Sequence, residues 1–214
     1  PRIGNFSLRF RGRIRSAAGA RWMPFVAEQQ SFAEPPERLF FMRATMLGVP
    51  VEALHHLRGG AATMRVEAAG VFPISDARGP VLDRSEAVTV FNDMCILAPG
   101  TLLDSRIAWE SIDPRTTRAR FTLGENTIGA TLTFDADGLL TNFVSDDRSR
   151  ASPDGKTFTP MRFSTPVRDY RSFGPFRLAA HGEARWHAPE GEFTYGEFEL
   201  VELAYNRKET PRPR

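Results

Sequence analysis

The sequence of 214 residues contains one cysteine and carries a net charge of only +2. A single cysteine excludes an internal disulfide and leaves the cellular compartment open. The sequence also lacks a run of about 20 apolar residues, so it contains no transmembrane helix of the usual length. The nearly balanced charge gives no reason to expect a nucleic-acid partner, and we predict none.

Common motifs of enzymes and metal sites are missing as well. The sequence has no GxSxG, no HExxH and no glycine-rich phosphate loop after a strand. His55 and His56 are adjacent, so on a strand they point to opposite faces. His181 and His187 share a face but lie about 20 Å apart along a strand. We therefore predict no catalytic residue, cofactor or local metal site, although a metal site assembled from distant strands stays open.

Residues 82–113 contain the only long segment with the pattern of a helix. Its apolar residues recur at spacings of three and four, which gives one apolar face. Asp83 and Glu86 fit a capping box at its start, and Pro99-Gly100 ends it. A helix with so many apolar residues should be buried on most sides, and in this chain a sheet must cover it. The residues of the apolar face are Ala87, Val90, Phe91, Met94, Leu97 and Ala98.

The segments before and after this helix alternate between apolar and polar residues, as strands do. Short links between them favour antiparallel pairing. We count about ten strands, including one long strand from Ala62 to Ile74, and expect a bulge near Gly196. The fold class is mainly β (α+β), with a strongly curved antiparallel sheet or half-barrel and the helix on its concave side. Residues 1–207 form one domain, and residues 208–214 form a flexible tail.

The first strand places a row of arginines on one face, opposite an apolar face. Two interpretations stay open for this row. It contacts an anionic surface such as lipid headgroups, or it pairs with acidic residues of the neighbouring strand. We favour pairing, because no aromatic residue is interleaved on the basic face. The row consists of Arg9, Arg11, Arg13 and Arg15.

Asn92 and Asp93 are the polar exceptions within the apolar helix. Either they line a pocket, or they hydrogen-bond to backbone or a nearby arginine, which is the commoner situation for buried polar groups. Cys95 fits a packed core position. Aromatic residues on the strands are expected in the core, with their edges lining any cavity. The predicted ligand-binding residues are Phe91, Asn92, Asp93, Met94, Trp109, Tyr170 and Trp186.

Several short patterns resemble, in the same order, a bacterial family of unknown function. The resemblance covers nearly the whole chain. It implies membrane segments ahead of this domain, which fits a chain that begins at Pro1. Such segments would anchor the domain to a membrane, on the periplasmic or the cytoplasmic side. The order of strands and helix is also similar to the outer-membrane lipoprotein carrier fold, where a curved half-barrel holds acyl chains. The patterns are W-x-P-F-x-A-x-Q from Trp22, N-D-M-C from Asn92 with L-A-P from Leu97, W-E from Trp109, F-V-S-D-D-R from Phe143, T-P from Thr165 to Tyr170, and G-E-A-x-W from Gly182.

Three functional hypotheses follow. The first is non-enzymatic binding of a hydrophobic or lipid-like molecule in a cavity between helix and curved sheet. The second is a hydrolase that uses Asp93 or the pair Asp146 and Asp147, although a salt-bridged turn explains that pair as well. The third is a membrane-tethered interaction module whose arginine row faces a membrane surface.

Overall fold

The computed structural model describes residues 2–152 and 154–207, and this part contains 15 strands and one long helix. The predicted tail at residues 208–214 lies outside the described residues. The strands are β1 (Asn5–Ile14), β2 (Met23–Phe32), β3 (Glu37–Met46), β4 (Val49–Arg58), β5 (Ala61–Ala68), β6 (Phe72–Arg78), β7 (Ile107–Asp113), β8 (Thr116–Leu123), β9 (Asn126–Phe134), β10 (Leu140–Ser145), β11 (Ser149–Ala151), β12 (Phe158–Pro160), β13 (Arg162–Phe173), β14 (Phe176–Ala188) and β15 (Gly191–Tyr205).

Thirteen strands form one antiparallel sheet in the order β6-β5-β4-β3-β2-β1-β15-β14-β13-β10-β9-β8-β7. The first strand and the last strand therefore pair with each other in the middle of the sheet. A separate hairpin of β11 and β12 follows β10. The sheet consists of two meanders that run outward from the β1–β15 pair, and short links make antiparallel neighbours, as predicted from the sequence.

The single long helix, α1 (Pro80–Leu97), joins the two edge strands β6 and β7. Because the two edges are the ends of a wide sheet, their connection must cross one face of it. It crosses the concave face, where residues on most sides of the helix are buried. The helix on the concave side of a curved sheet, predicted from the sequence, is therefore confirmed.

The sheet curls until parts that are distant in the strand order approach one another. Gly60, in the β4–β5 turn, is so close to Gly124, in the β8–β9 turn, that a Cβ added at Gly60 would lie 3.5 Å from the Gly124 Cα. A Cβ on Gly155, in the β11–β12 hairpin, would lie 2.1 Å from the Ser75 Oγ of β6. The edge strands β6 and β7 are not hydrogen-bonded to each other, so the sheet stays open rather than closing into a barrel.

The largest hydrophobic cluster lies between α1 and the sheet, with residues of β4–β10, β13 and β14. Phe91 is fully buried there and stacks on Phe121 with a centroid distance of 5.1 Å. Phe143 meets the same ring edge-on at 5.8 Å. Cys95 is a free, buried thiol, and burial raises its pKa, which confirms the prediction of a packed core position.

The start of the helix differs from the prediction. Gly79 occupies the N-cap with a φ of 109°, a conformation that favours glycine, and no side chain caps the helix. Asp83 instead accepts a hydrogen bond from the backbone N–H of Ala62, which ties the helix to β5. Glu86 is buried and points into the fold. The capping-box interpretation was therefore wrong, because both carboxylates bind residues that are distant in the sequence.

Two further predictions about the strands can be compared with the structure. The predicted strand from Ala62 to Ile74 is divided into β5 and β6 by a turn at Ala69 and Gly70, both with positive φ. The bulge predicted near Gly196 is confirmed, since the register between β14 and β15 shifts from Ala184–Gly196 to Arg185–Thr194. The prediction of about ten strands is lower than the 15 strands of the described residues.

The arginine row of β1 pairs with glutamates of β15 on the convex face. Arg11 lies 2.8 Å from Glu199, and Arg13 lies 2.7 Å from Glu197. Arg9 lies 3.4 Å from Glu202. Arg15 instead donates to backbone carbonyls of Thr194 and Ala18. The pairing interpretation is confirmed for the first three arginines of the row.

Candidate functional site

A cavity of about 180 Å³ lies between α1 and the central strands of the sheet. It has room for on the order of ten water molecules. The helix contributes Glu86, Thr89, Asn92, Asp93 and Ile96, and the strands β1–β4 and β13–β15 form the opposite wall. The cavity is therefore on the other side of the helix from the aromatic cluster around Phe91.

Seven strands contribute to the wall of the cavity, and most of this wall is apolar. This wall would favour an apolar guest, because transfer of apolar surface out of water is favourable. The apolar lining residues include Phe10, Ile14, Phe40, Met42, Phe163, Val167, Phe198 and Leu200.

A buried polar cluster closes one part of this wall. The Arg38 Nε donates to Asp93 Oδ2 at 2.7 Å, and its Nη2 donates to Gln29 Oε1 at 3.1 Å. Gln29 Nε2 also donates to Asp93 at 2.7 Å. Arg38 and Gln29 stand on the inward faces of β3 and β2, where they are almost fully buried. The charge of Asp93 is thus met by one arginine and one amide.

Glu86 is the second carboxylate of this cluster. Its Oε2 lies 3.5 Å from Arg38 Nη1, and its Oε1 lies 3.5 Å from His55 Nδ1. Burial by itself raises the pKa of Glu86, but the hydrogen bond to His55 and the charges of His55, Arg38 and Arg148 outweigh it and lower the pKa to about 2. The cavity wall therefore keeps an ionised carboxylate at neutral pH.

Arg148, just after β10, places a second guanidinium in the cavity wall. It lies over the ring of Phe163, 4.2 Å from its centroid, and 5.4 Å from that of Trp186. Its Nη1 donates to the hydroxyl oxygen of Tyr195 at 3.2 Å. Within residues 2–152 and 154–207, no carboxylate approaches Arg148 closely enough to form an ion pair.

Three buried polar atoms of the wall have no hydrogen-bond partner among the described residues. They are Asn92 Oδ1 on the helix, Thr165 Oγ1 on β13 and His181 Nε2 on β14. Asn92 and Thr165 are only 8% exposed. A buried acceptor without a partner is costly and rare. A guest in the cavity would supply the missing partners.

The predicted ligand-binding residues are divided between the two sides of the helix. Asn92 and Asp93 line the cavity, as the pocket interpretation expects. Of the two, Asp93 also bonds a nearby arginine, so both interpretations of this pair hold in part. Trp186 does not line the cavity itself; it is buried behind the wall and stacks on Tyr195, with 5.4 Å between ring centroids, near the guanidinium of Arg148.

The other four predicted residues do not line this cavity. Phe91 belongs to the aromatic cluster, and Trp109 is 44% exposed at its edge, 6.1 Å from Phe91. Met94 lines a smaller cavity of about 50 Å³ beside the start of β1 and the β2–β3 turn. Tyr170 packs on the main cluster and donates to the carbonyl of Leu140 at 2.9 Å. Their role in binding remains a prediction without support from the cavity geometry.

The acidic pair after β10 forms salt-bridged turn contacts. Asp146 accepts two hydrogen bonds from Arg162, at 2.7 and 3.0 Å. Asp147 accepts from Arg84 at 2.6 Å and from the backbone N–H of Gly129 at 2.6 Å. The salt-bridged turn predicted as an alternative is therefore confirmed, and neither carboxylate lines the cavity.

The sequence matches a family profile over residues 1–198. The chain belongs to the DUF6544 family, a family of unknown function. No curated protein matches the chain significantly. This membership agrees with the resemblance to a bacterial family of unknown function that the short sequence patterns indicated.

Two solved structures share the fold of this DUF6544 chain. A domain described as an outer membrane lipoprotein-sorting protein, from Vibrio parahaemolyticus, has a TM-score of 0.53 at 10% identity, over 95% of this chain and 86% of that one. A DUF1329 family protein from Desulfovibrio piger has a TM-score of 0.53 at 11% identity, over 97% and 88%. At these identities the likeness concerns the fold alone, and it agrees with the predicted carrier-like topology.

Sequence reasoning did not place Gln29, Arg38, Glu86 or Arg148 in the wall of the DUF6544 cavity. One signal for two of them was present in the alternation of the strands. Arg38 shares its strand face with Phe40 and Met42, and Gln29 shares its face with Phe25 and Ala27. A charged residue in phase with an apolar face indicates a buried partner.

Other functional features were absent from the described part of the chain. No group of three or more His, Cys, Asp or Glu side chains is arranged there to hold a metal ion. Its one long helix is too polar to meet the criteria for a membrane span.

Proposed function

We propose that this domain binds one hydrophobic or lipid-like molecule in the cavity between α1 and the central strands. The observation that carries the proposal is the apolar cavity whose wall contains buried polar atoms without partners. Apolar walls with a few polar groups are typical of sites for small amphiphilic ligands. The fold likeness to a lipoprotein-sorting domain points in the same direction by analogy only.

The test is a fluorescence titration with N-phenyl-1-naphthylamine, an uncharged probe that brightens in apolar surroundings. We expect saturable binding with one site per chain. Thr89→Trp places a large ring in the cavity from the helix, and Ile96→Trp does the same about two helical turns further along. Each should weaken binding about tenfold or more, since a filled site loses most of the contacts with the probe.

Thr45→Trp is the matched control, because Thr45 is exposed at the end of β3 and does not line the cavity. Circular dichroism and thermal unfolding of each variant establish that it is folded. Absence of saturable binding would contradict the proposal. Equal binding by the folded Thr89→Trp and Thr45→Trp variants would also contradict it.

A hydrolase is the second candidate, because Asp93 meets Arg38 inside the cavity and Glu86 meets His55 there. The experiment is hydrolysis of p-nitrophenyl octanoate by the wild type and by Asp93→Asn. An enzyme would be supported if the wild type hydrolyses the ester and Asp93→Asn does not, while Asp93→Asn still binds the uncharged probe. Absence of turnover would remove this candidate and leave the binding role.

A further inference from the structure

The two arginines of the cavity wall differ in how many of their donors are used. Arg38 donates to Asp93 and Gln29 and also contacts Glu86, so its charge is fully matched inside the protein. Arg148 donates one hydrogen bond, to a neutral tyrosine hydroxyl. A guanidinium has five N–H donors. Arg148 therefore has N–H donors available toward the cavity, and its charge acts on Glu86 without a direct ion pair.

Aromatic rings hold the Arg148 guanidinium in place. Its centre lies 4.2 Å from the Phe163 ring and 5.4 Å from the Trp186 ring, in the range of cation–π contacts. These contacts fix the position of the guanidinium and use none of its N–H donors in hydrogen bonds to a carboxylate or carbonyl oxygen. An arginine held in this way is suited to planar or bidentate recognition of a carboxylate or a phosphate.

The unpartnered atoms of the same wall add a second requirement. Asn92 Oδ1 is an acceptor and needs a donor, whereas Thr165 Oγ1 can serve as either. An anionic group alone would satisfy Arg148 but not Asn92. A head group that combines an anion with a hydroxyl would satisfy both.

The cavity-facing side of α1 also changes character along its length. Glu86 faces the cavity from the first half of the helix, Thr89, Asn92 and Asp93 face it from the middle, and Ile96 and Leu97 face it at the end. Thr89 and Ile96 are about 10 Å apart along the helix axis. The segment after Arg148 joins the first half, since the Ser149 N–H donates to Ser85 Oγ at 3.0 Å. The polar end of the cavity is therefore the end near Arg148.

From these observations we infer that the ligand is a single-chain amphiphile with an anionic head group, a carboxylate or a phosphate monoester. The head group lies against Arg148, with Asn92 and Thr165 beside it, and the chain runs toward Ile96 and Leu97. This inference rests on the proposed binding function and names the class of ligand for the same cavity.

The experiment is displacement of N-phenyl-1-naphthylamine at pH 8 by three ligands that share one 18-carbon chain with a cis double bond and differ in the head group. Oleate carries an anion, oleyl alcohol carries only a hydroxyl, and 1-oleoyl-lysophosphatidate carries both. We expect oleyl alcohol to bind about tenfold to a hundredfold more weakly than oleate, the range for a lost charged hydrogen bond. We expect lysophosphatidate to bind more tightly than oleate.

Arg148→Gln should reduce the affinity for oleate by the same factor and leave that for oleyl alcohol within about threefold. Arg148→Lys should retain part of the oleate affinity, because it keeps the charge but loses the planar donors. Arg11→Gln, on the convex face, is the matched control and should change neither affinity. Thermal unfolding of each variant checks its folding.

The outcomes separate this inference from the proposed function. If none of the three ligands displaces the probe, the binding function itself is wrong. If all three displace it with equal affinity in the wild type, the binding function stands and the anionic head group is wrong, whether or not Arg148→Gln folds. Tighter binding of oleate than of lysophosphatidate would assign the site to a carboxylate rather than a phosphate.

Discussion

The two faces of the central sheet hold the same kind of ion pair in opposite surroundings. On the convex face, Arg11 and Arg13 of β1 meet glutamates of β15 in water. On the concave face, Arg38 meets Asp93 where both side chains are largely buried. The convex pairs are local neighbours in the sheet, and the concave pair joins strand to helix. Burial therefore decides which pairs hold the fold together, and each prediction below changes one face and leaves the other.

The largest effect is expected from Arg38→Met. The substitution leaves Asp93 buried without its cation and removes one of the cations beside Glu86; breaking a buried pair in this way destabilises a fold by about 3–5 kcal/mol. Urea unfolding monitored by tryptophan fluorescence measures the change. Arg11→Met on the convex face is the control and should alter the unfolding midpoint far less, because solvent screens an exposed pair. Similar midpoints for the two variants would contradict the contrast between the faces.

The pH dependence of stability is the next effect. Because the pKa of Glu86 is about 2 in the fold and about 4.5 in the unfolded chain, folding favours its ionised form. Its contribution is fully present above about pH 4.5 and is lost as the pH falls toward about 2. Thermal unfolding between pH 7 and pH 2.5 should show a steeper loss in the wild type than in Glu86→Gln. Parallel curves for the two proteins would show that Glu86 does not carry the effect.

Asn92→Leu is expected to raise stability by about 1 kcal/mol, since it removes a buried acceptor without a partner and fills apolar space. The same variant should bind lysophosphatidate more weakly than the wild type does. Urea unfolding and the displacement titration measure the two effects. A destabilised variant would indicate that Asn92 has a structural partner after all.

The smallest effect is expected on the convex face. Arg11→Gln and Arg13→Gln should leave flotation with anionic liposomes unchanged, because these arginines are already paired with Glu199 and Glu197. Flotation of the wild type and of each variant with phosphatidylglycerol vesicles measures the effect. A loss of flotation in these variants alone would restore the membrane-surface hypothesis for the arginine row.

Much of the fold was predictable because it depends on local periodicity. The alternation of β1 placed its arginines on one face, and the charges of β15 then supplied their partners. The three- and four-residue spacing around Phe91 predicted the helix and its burial. The start of the helix was mispredicted because Asp83 and Glu86 fit a local cap, but their partners lie 21 and 48 residues away.

The candidate site was predictable only in part. Asn92 and Asp93 stood out as polar residues in an apolar helix, and both line the cavity. The aromatic residues predicted with them, Phe91, Trp109, Tyr170 and Trp186, do not line this cavity, because periodicity alone does not tell which face of a helix or strand meets a cavity. Arg148 follows two aspartates and looks like part of a charged turn in the sequence.

The sequence alone determined the strands, the single apolar helix, the antiparallel connections and the membership of the DUF6544 family. Only the tertiary structure decided that Arg38 meets Asp93 across 55 residues and that Arg148 lies over Phe163. The physical reason is that periodicity fixes which face a side chain takes, whereas the curl of the whole sheet around α1 fixes what that face meets. The cavity could not be predicted from periodicity, because it lies between elements that become neighbours only when the sheet curls around α1.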